Sequence, residues 1–122
     1  NDTATTEIYT DFTLFPYTTL SDLASGADPV PLVAAIASKL RTMARVAGSR
    51  EPARALAARL GMKDWQVDRA RRDLTGWNET SLGMAIQAAA RADAEVKGAS
   101  RDPVFAVERL VTVIATRAPF GA

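Results

Sequence analysis

Apolar residues recur at helical intervals through most of the chain beyond residue 28, and turn-forming residues cut that pattern into pieces. Between Leu32 and Ala47, the positions Leu32, Ile36, Leu40, Met43 and Ala47 follow one another at steps of three and four, while Arg41 and Arg45 face away. That spacing predicts an amphipathic helix. Ser25-Gly26-Ala27-Asp28-Pro29 forms a turn ahead of it, with Asp28 able to cap and Pro29 or Pro31 suited to a first helical turn; Gly48 ends it. A short helix is predicted over Glu51 to Leu60, started by Pro52 and stopped by Gly61, and a third from Asp64 as N-cap to about Leu74. Gly76-Trp77-Asn78 breaks the chain again, and Asn78 caps the longest uninterrupted pattern, which reaches Gly98. Asp102 and Pro103 read as N-cap and first residue of a last helix that carries Val104, Val107, Leu110, Val111 and Ile114 on one side and ends near Arg117. Pro119 and Gly121 close it. Five helices and no convincing strand predict an all-α fold, a helical bundle.

The long helix carries an unusual feature. At about 100° per residue, Leu82, Ala85, Ile86, Ala89 and Val96 share one arc, and Asp93 and Lys97 fall inside it. The acid precedes the base at i,i+4, the favourable order for a pair on one helix. Apolar neighbours on that arc predict a structural ion pair at least partly buried, with Arg109 of the last helix as an alternative partner for Asp93.

Composition narrows the chemistry. The 122 residues have a formal net charge of +1, so bulk attraction to nucleic acid has no basis, and only local clusters of arginine bear on it. Cysteine and histidine are both absent, which removes disulfides, zinc sites of the Cys/His type, thiol nucleophiles and the usual general base. No apolar run approaches the length of a membrane span, and the chain reads as a soluble intracellular protein without a bound cofactor. Residues 1–21 differ from the rest: they hold seven threonines and both tyrosines and no Lys or Arg, where the remainder is rich in alanine and arginine. Alternation in Thr6-Glu7-Ile8-Tyr9-Thr10 fits a strand, but this stretch also resembles a translated sequencing adapter. It is set aside as a non-native leader, and residues 22–122 are taken as the domain.

The most suggestive local motif is a helix-turn-helix, the pair of short helices joined through Gly61. On its second helix, Val67, Ala70 and Leu74 form the inner side and leave Trp65, Arg69 and Arg72 as an outward stripe. A recognition helix needs such donors for phosphates and base edges. Asp64, Asp68 and Asp73 interrupt the positive charge, however, and the same hairpin is common in bundles that touch no DNA. A glycine-rich phosphate loop followed by Lys-Ser/Thr is missing, and Glu95, Asp102 and Glu108 read as ordinary helix-face or capping acids. No residue stands out as catalytic, and no metal ligands are grouped.

Taken in order, several blocks resemble the C-terminal domain of the δ subunit of bacterial DNA polymerase III, in its actinobacterial form. They are Asp28-Pro29-Val30-Pro31-Leu32-Val33-Ala34-Ala35-Ile36-Ala37, Leu60-Gly61-Met62, and Trp65-Gln66-Val67-Asp68-Arg69-Ala70-Arg71-Arg72-Asp73-Leu74. Lys39-Leu40-Arg41, Arg45-Val46-Ala47-Gly48, Gly76-Trp77, Ala92-Asp93-Ala94-Glu95-Val96-Lys97-Gly98 and Asp102-Pro103-Val104-Phe105-Ala106-Val107-Glu108-Arg109 complete them. The resemblance covers nearly all of the chain from Asp22. It implies a helical collar domain of the clamp loader, the machine that places the ring-shaped sliding clamp on primed DNA. The implied partners are the γ/τ and δ′ subunits, with clamp and DNA met through the complete complex in the bacterial cytoplasm. It implies no active site of this chain's own, although the holoenzyme is a DNA-directed DNA polymerase. The family's clamp-binding element and ATPase-like regions are expected upstream of this segment. Trp65, Arg69 and Arg72 are the candidate partner contacts, and a free-standing helix-turn-helix DNA-binding module is the competing reading.

Overall fold

Asp28 opens the first helix by accepting a hydrogen bond from the Val30 N–H at 2.9 Å, with Pro29 seated in the first turn. In the computed structural model, which describes residues 28–99 and 102–117, helix α1 spans Pro29–Ala47. It is followed by α2 (Ala53–Leu60), α3 (Asp64–Asp73), α4 (Glu79–Ala94) and α5 (Pro103–Thr116). A π-helical turn, Glu95–Ala99, extends α4. The described residues contain these five α-helices and no strand, so the fold is all-α.

Helix α1 is the central element. Its buried face, Val33, Ile36, Ala37, Leu40 and Met43, packs against Leu82, Ala85, Ala89 and Ala92 of α4 and against Val107, Leu110 and Ile114 of α5. Full burial of each large aliphatic side chain stabilises the fold by roughly 1.5–3 kcal/mol. The alanines of α4 matter for a different reason, since small side chains let neighbouring helices approach closely.

A second, smaller core lies at the far end of α1, where Val46 meets Leu56 and Ala57 of α2 and Val67 and Ala70 of α3. The α2–α3 hairpin turns through Gly61, whose φ of 71° is a left-handed conformation that costs glycine little, and whose N–H bonds the Ala57 carbonyl. Leu74 packs against both cores and so couples the hairpin to the main bundle.

Three details differ from the sequence expectation. Helix α3 is capped one residue earlier than Asp64: Lys63 is the N-cap, and the Gln66 side chain accepts its N–H at 2.9 Å. Asp64 instead sits in the first turn, where the helix dipole still favours an acid. Helix α2 begins at Ala53, with Pro52 as its N-cap and Glu51 outside it. The long helix is not uniform to Gly98, because its last turn is π-helical and carries about one more residue per turn than an α-helix. As the apolar arc predicts, burial on α4 takes in Leu82, Ala85 and Ala89, joined by Ala92, in the core shared with α1 and α5. Lys97 lies in the π turn and is exposed.

Candidate partner-contact surface

Helix α3 exposes one face because its other face is consumed by the small core. Val67 and Ala70 are fully buried, whereas Trp65 is 56% exposed, Arg72 is exposed and Arg69 is half-buried. The spacing i, i+4, i+7 holds these three on one stripe. An aromatic ring of that size left in water is uncommon on a small domain and marks a candidate contact.

Ionic and polar ties add to this packing in orienting the stripe. Lys39 of α1 reaches Asp73 at the end of α3 at 2.6 Å, with the two side chains 20% and 11% exposed. Arg71 turns inward and donates to the Glu51 carbonyl at 2.5 Å and to the Ser49 carbonyl at 3.4 Å. Glu51 in turn accepts from Arg59 Nε at 3.0 Å and Nη2 at 2.7 Å, and from Ser49 Oγ at 3.0 Å. The Arg59 hydrogen bonds, followed by that of Ser49, hold the Glu51 carboxyl below the usual carboxylate range. Arg71 is therefore a structural residue, and its charge is not presented along the outer stripe. Asp64 and Asp68 lie exposed on the same helix.

The structure brings Asp93 and Lys97 together at 2.8 Å. The Lys97 side chain is 57% exposed and that of Asp93 31%, so the acid is partly buried and the base is not. Arg109 is not an alternative partner for Asp93. It pairs with Glu95, whose Oε1 also lies 3.4 Å from Arg91 Nε. The Arg109 guanidinium lies over the Phe105 ring, 5.7 Å from its centroid. Desolvation, with Arg91 nearby, lowers the Arg109 pKa from its usual value. These contacts were missed in the sequence because Glu95 and Arg109 belong to different helices; the only local signal was the i,i+4 spacing of Arg91 and Glu95.

Arg117 is a second unforeseen contact. It ends α5 at a φ of 55°, hydrogen-bonds the Ile114 carbonyl, and lies 4.1 Å from the centroid of the Trp77 ring. This ties the end of α5 to the start of α4. Among the described residues there is no group of three or more acids, histidines or cysteines able to hold a metal, and no helix long and apolar enough to cross a membrane.

The sequence profile of the DNA polymerase III δ subunit, C-terminal domain, matches residues 17–114. The chain belongs to this family. Membership implies a clamp-loader role in DNA replication. The match takes in α1 through α4, the π turn and α5 as far as Ile114, so both cores and the Trp65 stripe lie within the δ C-terminal domain. It begins at residue 17, ahead of the described residues, and most of the compositionally distinct stretch 1–21 lies before it. No curated protein and no solved structure matches the chain.

Proposed function

We propose that this δ C-terminal domain, of actinobacterial type, is a non-catalytic assembly module that holds δ among the other clamp-loader subunits, γ/τ and δ′, in the bacterial cytoplasm. The observation that carries the reading is the profile match across nearly the whole helical bundle. In this reading residues 22–122 form the domain and 1–21 are a foreign leader, supported by the break in composition. Sliding clamp and primed DNA are met through the complete complex. Trp65, Arg69 and Arg72 serve as protein contacts. An exposed indole flanked by arginines suits a protein interface, where tryptophan and arginine are enriched.

The ion pair of Asp93 and Lys97 has a structural role, trimming the end of α4. The test is association of the chain with purified γ/τ and δ′ from the same genome, before and after replacing Trp65, Arg69 and Arg72 with alanine. A loss of affinity of about tenfold or more, with an unchanged thermal midpoint, is expected. Sequence-selective duplex binding by the isolated chain, with affinity falling steeply as salt rises, would instead establish the helix-turn-helix alternative.

A further inference from the structure

Helix α3 carries a charge pattern that is complementary to itself. At about 100° per residue, Trp65, Asp68, Arg69 and Arg72 fall within one arc about 100° wide. It lies opposite Val67 and Ala70, which the hairpin core consumes. Trp65, Asp68 and Arg72 are exposed and Arg69 is half-buried. Asp68 and Arg72 stand four apart, yet among the described residues neither is in an ion pair. The residues that flank the arc turn away from it, Arg71 toward the Ser49 and Glu51 carbonyls and Asp73 toward Lys39. The seam is thus bounded by side chains already tied within the molecule, and Trp65, Asp68 and Arg72 are left to solvent.

Along the seam the order is aromatic, acid, base, base. Run against itself in the opposite direction, that order sets aromatic against base and acid against base. A two-fold axis between Asp68 and Arg69 places Trp65 opposite Arg72 of a second copy and Asp68 opposite its Arg69, and symmetry repeats both contacts. A guanidinium over an indole is a favourable cation–π contact. The Asp68 carboxylate meets a guanidinium whose five donors let it serve partners in both chains. A parallel arrangement would set Asp68 against Asp68 and Arg69 against Arg69, and the like charges would repel.

From this complementarity we infer that α3 is a self-association surface, which pairs antiparallel with α3 of a second copy of this chain. The ten residues of α3 give a contact about 15 Å long. Such a contact buries less than the roughly 1,200–2,000 Å² of stable interfaces, so the dimer is weak and reversible. Trp65, Arg69 and Arg72 are also the loader contact proposed above, so the dimer and the loader complex exclude one another. Self-pairing then covers the exposed indole until the chain joins the loader. That exclusion rests on the assembly reading; the pairing itself rests only on the seam.

Sedimentation equilibrium of the full chain, from micromolar to millimolar concentration, tests the pairing. The weight-average mass is expected to rise toward twice that of one chain. Asp68→Arg, and separately Arg69→Asp with Arg72→Asp, should each stay monomeric across the range, because each change leaves the seam with one sign of charge. An equimolar mixture of the two variants should regain the mass of a dimer, since seams of opposite sign then face each other, and that recovery also shows that both are folded. A parent that stays monomeric at millimolar concentration overturns the inference. So does a dimer that survives Asp68→Arg, or a mixture that fails to associate although both variants keep the parent's thermal midpoint. Association that needs duplex DNA overturns it as well. A parent that binds γ/τ and δ′ but never dimerises loses only the self-association. A parent that dimerises as described but binds neither keeps it, and the assembly reading is then the one that fails.

Discussion

The Lys39–Asp73 contact decides how firmly α3 is held, and it can be tested by a double-mutant cycle. At 2.6 Å, Coulomb's law gives about 1.6 kcal/mol in a water-like dielectric and about 6 kcal/mol at an effective dielectric of 20, before any desolvation cost. Both side chains are largely removed from solvent, so a figure of about 0.2–1 kcal/mol, appropriate to exposed pairs, is too small. Desolvation offsets much of the larger value. The expected coupling energy is therefore about 1–2 kcal/mol. Lys39→Met keeps most of the aliphatic stem that packs beside α3, and Asp73→Asn keeps the shape of the acid, so the cycle isolates charge. Urea unfolding of the parent, both single variants and the double variant measures it. Each single change should destabilise by more than the double change implies if the two acted alone. Additivity within about 0.3 kcal/mol would refute the argument that this pair anchors the hairpin.

Three further outcomes are expected. Asp93→Ala and Lys97→Ala should each cost no more than about 0.5 kcal/mol by the same urea assay, because the pair is solvated; a loss several times larger would mean the end of α4 is more enclosed than its exposure indicates. Glu51 has a folded pKa below its unfolded value, so its stabilising contribution is present above the ordinary carboxylate range and is lost as pH falls through the lowered folded value. Glu51→Gln should accordingly flatten the acid limb of a plot of thermal midpoint against pH, and an unaltered limb would assign that dependence to other acids. A chain beginning at Asp22 should match the thermal midpoint of the full chain, as expected if the threonine-rich leader is foreign; a clear drop would show that residues before Asp22 contribute to the domain.

Helical periodicity sufficed to find all five helices, because each apolar stripe here is amphipathic and each boundary carries a cap, a proline or a glycine. The bounds moved by a residue or two where a side chain supplied a cap from an unforeseen position, as Gln66 does for Lys63. What periodicity could not reveal was which part of an apolar arc faces inward. On α4 the inward positions are Leu82, Ala85, Ala89 and Ala92, in the core shared with α1 and α5, and Lys97 on the same predicted arc stays exposed. Contacts between helices, such as Glu95 with Arg109 or Arg117 with Trp77, join residues 14 and 40 positions apart and leave no local trace. The stripe of Trp65, Arg69 and Arg72 was legible because its inner neighbours, Val67 and Ala70, share the same helix.

The two cores give the domain an uneven distribution of stability with a bearing on assembly. The main core is built from large aliphatic side chains contributed by three helices, whereas the hairpin core has few large members beyond Val46, Leu56 and Val67. Apolar burial therefore holds α1, α4 and α5 more strongly than it holds α2 and α3. The polar clasp through Arg71, Glu51 and Arg59, together with Lys39 and Asp73, compensates at the hairpin, and hydrogen bonds and ion pairs fix orientation more sharply than apolar contact does. The candidate contact at Trp65 thus sits on the less stable half of the molecule, as expected of a segment that adjusts to a partner.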